Sequence, residues 1–154
     1  MDKSETISTK NAEETKELGQ KLADFVVQKG SKNHPHIICL YGDLGMGKTT
    51  FVQGFARALG ITSRLLSPTF IIVRRHKLEA LNRFFYHVDL YRTQSEDSMK
   101  ELGIQEIFRD EQNIVVVEWA ERLGSLLPKR RIDIRFANGN SDSERRIAIT
   151  YGTN

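Results

Sequence analysis

Gly42-Asp43-Leu44-Gly45-Met46-Gly47-Lys48-Thr49 has the spacing G-x-x-x-x-G-K-[ST]. Residues of these types at these intervals do phosphate chemistry. Glycines let the backbone wrap a polyphosphate without a Cβ in the way, so that successive N–H groups and a following helix N-terminus face negative oxygens. Lys48 adds a point charge, and the Thr49 hydroxyl suits Mg²⁺, a hard ion that takes few protein ligands and keeps most of its waters. Asp43, Leu44, Gly45, Met46, Gly47, Lys48, Thr49 and Thr50 are therefore the expected nucleotide-binding stretch.

A short match of this kind arises by chance in about one sequence in a hundred, so the flanking elements must support it. They do. His36 to Tyr41 (HIICLY) is an apolar run that reads as a buried strand, and from Lys48 onward Phe51, Phe55 and Leu59 recur every four residues ahead of Gly60, which predicts a helix of about three turns. A second apolar strand, Ile114 to Val117, ends in Glu118, and a third, Arg83 to Leu90, carries Asp89 near its end. Alternation along the third strand puts Phe85, His87 and Asp89 on one face.

Around these lie a first helix with Asn11 and Glu14 at capping-box spacing and Gly30 at its end, and a short helix from Ser95 to Leu102 stopped by Gly103. Phe70 to Arg74 pairs with Arg83 to Leu90 across a turn at Lys77 to Asn82. A second hairpin, with Ile132, Ile134 and Phe136 before Asn138-Gly139-Asn140 and Ile147, Ile149 and Tyr151 after it, closes the chain. The expected class is α/β: a P-loop NTPase-like single domain over residues 1–154, with a mostly parallel central sheet, antiparallel hairpin additions and flanking helices. The ends and the turn at Lys77 to Asn82 are the segments expected to be mobile.

Composition narrows the function classes. The 154 residues are 39% hydrophobic and 28% charged with three prolines, which suits one soluble globular domain rather than a disordered or fibrous chain. Cys39 is the single cysteine, so no internal disulfide and no cysteine-based zinc site can form. Met1 to Glu14 holds no apolar stretch for a secretory pathway, and no run approaches the ~20 residues that span a bilayer, so a cytoplasmic protein without membrane contact is expected. The net charge is +3, but Arg57 to Phe84 carries six basic residues against Glu79 alone, while Phe85 to Glu121 carries nine acidic against three basic. The basic stretch, including Arg64, Arg74, Arg75, Lys77 and Arg83, is either solvated surface or a contact for RNA or an acidic protein.

Taken together, GDLGMGKTTF at Gly42 to Phe51, SPTF at Ser67 to Phe70, H-x-DLYR at His87 to Arg92, Glu101-Leu102-Gly103 with the following isoleucine, and Glu118-Trp119 resemble the TsaE family over nearly the whole chain. The chain departs from that family at Met46, usually alanine, and at Ala120, usually proline. Neither position needs its side chain for phosphate or metal chemistry. The resemblance implies an ATPase subunit of tRNA threonylcarbamoyladenosine synthesis, weak alone and stimulated in a complex, that binds ATP and Mg²⁺ and acts on a TsaB–TsaD heterodimer to permit repeated turnover, with an indirect or weak tRNA contact by the basic stretch as a subsidiary expectation.

Residue roles divide accordingly. Lys48 binds phosphate and serves catalysis, and Thr49 holds the metal. Glu118 reads from its position as either an acid facing the phosphate loop or an ordinary strand-end carboxylate, and the resemblance implies Mg²⁺ ligation. Asp89 reads first as a solvated strand-end acid or a partner of Arg92, and the resemblance implies a water-positioning acid. Asn11 caps a helix, and the resemblance puts the same residue near adenine. His87 reads as a packing or hydrogen-bonding histidine, Trp119 as a core, nucleotide-side or partner-surface residue, and Ser67-Pro68-Thr69-Phe70 as either a nucleotide-sensing switch or a rigid strand entry.

A P-loop does not choose a reaction by itself. No Asn-Lys-x-Asp stretch reads guanine and no second domain closes over an acceptor, which favours adenine and hydrolysis. A small P-loop kinase and a nucleotide-gated binding module without catalysis are the alternatives.

Overall fold

The computed structural model describes residues 3–29, 36–62, 73–92 and 95–152. Its frame is a seven-stranded sheet made of β1 (Lys3–Thr9), β2 (His36–Tyr41), β3 (Val73–Leu78), β4 (Arg83–Asp89), β5 (Asn113–Glu118), β6 (Ile132–Asn138) and β7 (Arg145–Tyr151), ordered β1-β7-β6-β2-β5-β4-β3. The four central strands β6, β2, β5 and β4 run parallel, and antiparallel pairs close both sides. The α/β class, the parallel centre and both hairpins are as the residue pattern predicts.

The centre is apolar because it is covered twice. Every residue of β5 is buried, and β2 alternates Ile38 and Leu40 toward one face with Ile37, Cys39 and Tyr41 toward the other. On the first face pack α1 (Ala12–Lys29), through Leu18, Leu22 and Val26, and α2 (Lys48–Ala58), through Phe51 and Phe55. The second face takes α3 (Glu96–Glu101), α4 (Ile104–Arg109) and a 3₁₀ segment, Ala120–Leu126, through Met99, Ile104, Phe108 and Leu123. Each such side chain contributes roughly 1.5–3 kcal/mol by leaving water.

Helices α1 and α2 cross so closely that only glycine fits at the contact. A Cβ on Gly54 would lie 2.0 Å from the Lys16 carbonyl oxygen, and one on Gly19 would lie 2.2 Å from that of Phe51. Because α2 leads directly out of the phosphate loop, this crossing sets where that loop stands.

Four expectations need correction or boundary changes. Residues near the N-terminus were expected to be mobile, yet Lys3–Thr9 forms an edge strand in register with β7, Lys3 opposite Tyr151 and Thr9 opposite Arg145. Its polarity follows from its place, since an edge strand with exposed side chains needs no apolar pattern. The first hairpin strand runs over Val73–Leu78 rather than stopping at Arg74, so Lys77 and Leu78 are strand and the turn is shorter than expected. Pairing with β4 supplies the backbone hydrogen bonds that the charged sequence does not advertise. Helix α4 was not anticipated, because its six residues are too few to show a period. The connection after β6 spans residues 139–144, closed by Gly139 N–H donating to the Glu144 carbonyl at 2.9 Å, and is longer than a three-residue turn. The caps hold as expected: Glu14 N–H donates to Asn11 Oδ1 at 2.9 Å, and Ser98 N–H to Ser95 Oγ at 3.1 Å. Gly30 and the Ser67 to Phe70 segment lie outside the described residues.

Candidate functional site

The loop of residues 42–47 leaves the carboxyl end of β2 and enters α2 at Lys48. Gly45 and Gly47 have φ of 81° and 101°, left-handed values that cost other residues ~1–2 kcal/mol each. Gly47 sits just before α2 with no side-chain cap, and no acidic residue stands in the first turn. The first N–H groups of α2 thus have no partner within the helix and keep the positive end of its dipole available to an anion. They border a cleft of about 700 Å³ lined by Leu44, Gly45, Gly47, Lys48, Thr49 and Thr50 on the loop side. Leu44 is exposed at the loop tip, whereas the Met46 side chain packs on the core between sheet and helices. Asp43 takes part through its backbone, its carbonyl accepting from Met46 N–H at 3.3 Å and from Lys48 Nζ at 3.3 Å.

Lys48 is buried. Its ammonium donates to the carbonyls of Gly42 and Asp43 and lies 3.7 Å from the centroid of the Trp119 ring. Burial pulls its pKa below the ordinary lysine value, against the opposing pull of the Glu121, Glu118, Asp89 and Asp43 carboxylates. Trp119 reaches this position because it has φ 60° immediately after β5, which turns the chain sharply at the strand end. Its ring also meets Tyr91 at 5.1 Å.

The acidic wall comes from the ends of two neighbouring parallel strands. Asp89 of β4 is in register with Glu118 of β5. Thr49 Oγ1 donates to Glu118 Oε1 at 3.2 Å, and His87 Nε2 lies 2.6 Å from Glu118 Oε2, with the His87 and Glu118 side chains only 1% and 3% exposed. Asp89 Oδ1 accepts from Tyr91 N–H at 3.0 Å. Burial raises the Asp89 carboxyl above the ordinary aspartate value, which the Tyr91 hydrogen bond counters and the Glu118 charge reinforces.

A third wall is formed by the start of α1, with Asn11, Ala12 and Thr15, and by the end of the β6–β7 connection, with Ser143 and Arg145. Arg145 donates from Nη2 to the Gly45 carbonyl at 3.3 Å. Its methylene chain also lies on the Gly47 side of the loop.

The expected site residues Asn11, Leu44, Gly45, Gly47, Lys48, Thr49, Thr50, Asp89 and Glu118 thus line one cleft, while Asp43 and Met46 support its loop. Sequence reasoning missed Thr15, Tyr91, Ser143 and Arg145. The last is 100 residues from Gly45 and carries no local signal beyond a strand start. His87 was placed on the correct face by strand alternation, but its partner Glu118 was not visible from spacing. Among the described residues, no three His, Cys, Asp or Glu side chains gather into a cluster able to hold an ion, and no helix is long and apolar enough to cross a membrane.

Comparison with known proteins agrees with this arrangement. The model of the family described as threonylcarbamoyl adenosine biosynthesis protein TsaE matches residues 9–147. A tRNA threonylcarbamoyladenosine biosynthesis protein TsaE from Bacillus subtilis is 40% identical over 142 residues, covering 92% of this chain and 82% of that protein. Its namesake from Haemophilus influenzae is 29% identical, covering 89% of this chain and 83% of that one. The crystal structure of YdiB from Bacillus subtilis superimposes with a TM-score of 0.76 at 33% identity, over 99% of this chain and 88% of that chain. With a family match over residues 9–147, which takes in the glycine loop and both acidic strand ends, the chain belongs to the TsaE family of tRNA threonylcarbamoyladenosine biosynthesis proteins.

Proposed function

We propose that this protein is an ATP-binding and ATP-hydrolysing subunit of tRNA threonylcarbamoyladenosine synthesis, and that it acts on a TsaB–TsaD complex to support turnover. The observation that carries the reading is the junction of the glycine loop with Glu118, made by the Thr49 hydroxyl at 3.2 Å. That junction sets two hard oxygen donors beside a ring of backbone amides and one buried ammonium, a donor set that fits a nucleotide triphosphate with Mg²⁺.

In this reading the loop amides and Lys48 bind the phosphates, and Thr49 and Glu118 hold the cation. Mg²⁺, when held there, would supply charge neutralisation for the phosphates. Lys48 is already desolvated, so its charge acts on phosphate in a medium less screening than water. Asp89, with a carboxyl group of raised pKa at the cleft wall, accepts a hydrogen bond from the attacking water and orients it toward the terminal phosphate. Asn11 and its neighbours at the start of α1 form the wall on which the nucleoside rests. ATP is cleaved by water to ADP and phosphate, while the threonylcarbamoyl transfer itself belongs to the partner complex.

Steady-state ATP hydrolysis by the purified chain, alone and with a TsaB–TsaD heterodimer, tests this beside Glu118→Ala. Strong stimulation by the heterodimer, lost in the variant, is the expected result. Binding of ATP without hydrolysis in either setting would overturn the ATPase assignment in favour of a nucleotide-gated binding module.

A further inference from the structure

Glu118 has two carboxylate oxygens, and the fold commits them differently. Oε1 accepts from the Thr49 hydroxyl at 3.2 Å, while Oε2 lies 2.6 Å from His87 Nε2. Among the described residues these are the hydrogen-bond partners of its side chain. His87 Nδ1 is buried without a hydrogen-bond partner among the same residues, so Nε2 is the nitrogen with an acceptor and the one that donates. The last torsion of a glutamate is broad and roughly two-fold, so its carboxylate plane is not held by the chain's own preference. A donor fixed on one oxygen sets that plane and hence the direction of the other.

The donor is itself enclosed by the sheet. His87 lies on β4 between β3 and β5, opposite Arg74 on one side and Val116 on the other, with its side chain 1% exposed. Asp89, two residues on, does not share the task, because a carboxylate has no hydrogen to donate to Glu118 and its Oδ1 accepts from Tyr91 N–H. Burying a carboxylate against an imidazole costs free energy that an apolar pair would not, which argues for a task beyond packing.

We infer that His87 is a positioning residue that holds Glu118 Oε2 so that Oε1 stays turned to the Thr49 hydroxyl, making one preset pair of oxygen ligands out of two flexible side chains. This rests on the reading that Thr49 and Glu118 ligate Mg²⁺. Partners that orient a ligand in this way typically change metal affinity by about 10–100-fold when removed. A histidine present only to fill space would instead tolerate a side chain of similar size whether or not it brings a donor to Glu118.

The test uses the full chain and its single tryptophan, Trp119, as the binding reporter. The imido analogue of ATP is titrated with Mg²⁺ and with EDTA into wild type, His87→Gln and His87→Asn, and the ratio of the two affinities is compared. A glutamine amide reaches the place of Nε2, whereas an asparagine amide falls short of Glu118. We expect His87→Gln to keep the wild-type ratio and His87→Asn to lower it about tenfold. Equal ratios in the two variants, both kept or both lost, overturn the role. Should His87→Asn not fold, His87→Met takes its place, with the reach of glutamine but no donor: a ratio lowered about tenfold supports the role, and the wild-type ratio overturns it. A wild-type ratio near one is a different failure, because it removes Mg²⁺ from Thr49 and Glu118 and the inference with it.

Discussion

The Lys48 ammonium stands 3.7 Å from the centroid of the Trp119 ring, while its hydrogen bonds go to the Gly42 and Asp43 carbonyls. The two residues belong to different elements and meet only because Trp119 takes a left-handed backbone conformation at the end of β5. Such strain persists where surrounding structure over-determines it, and it costs of order 1–3 kcal/mol. A cation held this close to an indole couples the state of the phosphate loop to a chromophore.

Nucleotide binding should therefore be visible in Trp119 emission. Titration with Mg²⁺ and ATP is expected to change the intensity or wavelength in wild type, and Lys48→Ala is expected to abolish the nucleotide-dependent change. An identical change in Lys48→Ala would separate the lysine from the phosphate.

Gly54→Ala tests the helix crossing that places the loop. Its Cβ would lie 2.0 Å from the Lys16 carbonyl oxygen, so α1 and α2 must move apart. Overpacking of this kind costs ~1–3 kcal/mol, which for a chain of this size lowers Tm by roughly 2–10 °C. Thermal unfolding measures the loss. A Tm equal to wild type would mean that the crossing accommodates a methyl group.

Asp89 gives a pH-dependent prediction with a definite sign. Burial raises its folded pKa above the ordinary value of 3.8, so folding favours the protonated form. The associated stability is complete below the ordinary value and is lost as pH rises through the raised one, leaving a destabilising carboxylate at neutral pH. Asp89→Asn, which keeps an oxygen for Tyr91 N–H, is expected to raise Tm at pH 7 without added metal and to lose that advantage in acid. It is also expected to slow ATP hydrolysis. Melting curves across pH together with a hydrolysis assay check both parts, and a variant less stable than wild type at pH 7 contradicts the first.

Arg145→Ala addresses the wall that reaches the loop from β7. The guanidinium donates to the Gly45 carbonyl and borders the cleft proposed to hold the nucleotide, so its loss should weaken nucleotide binding. A charge-assisted hydrogen bond at a partly wet site is worth about 1 kcal/mol, or roughly a fivefold rise in Kd with little change in Tm. Calorimetric titration reads the affinity, and an unchanged Kd would reduce Arg145 to a surface residue.

Where local residue order dictates geometry, the sequence was sufficient. Gly45 and Gly47 must be glycines for the loop to turn, the apolar run of His36–Tyr41 must be buried, and Lys48 must begin a helix, so the strand, loop and helix that carry the glycine motif could be read without a structure. The strand-end positions of Asp89 and Glu118 followed from apolar runs and a two-residue period. Edge elements were less legible, because Lys3–Thr9 and Arg74–Lys77 become strands through hydrogen bonds to a neighbour rather than through their own apolar pattern.

What tertiary structure alone decided was which of these groups touch. The Thr49–Glu118–His87 chain joins a helix start to two strand ends, the Lys48–Trp119 contact depends on one left-handed residue, and Arg145 arrives from a distant hairpin. None of these contacts leaves a period or spacing in the chain, since side chains distant in sequence are brought within hydrogen-bonding distance only by the order of strands in the sheet. The sequence set the chemical groups and the local geometry of the phosphate loop; packing of the sheet against α1 and α2 set their mutual distances, because distances between elements are properties of the assembled core.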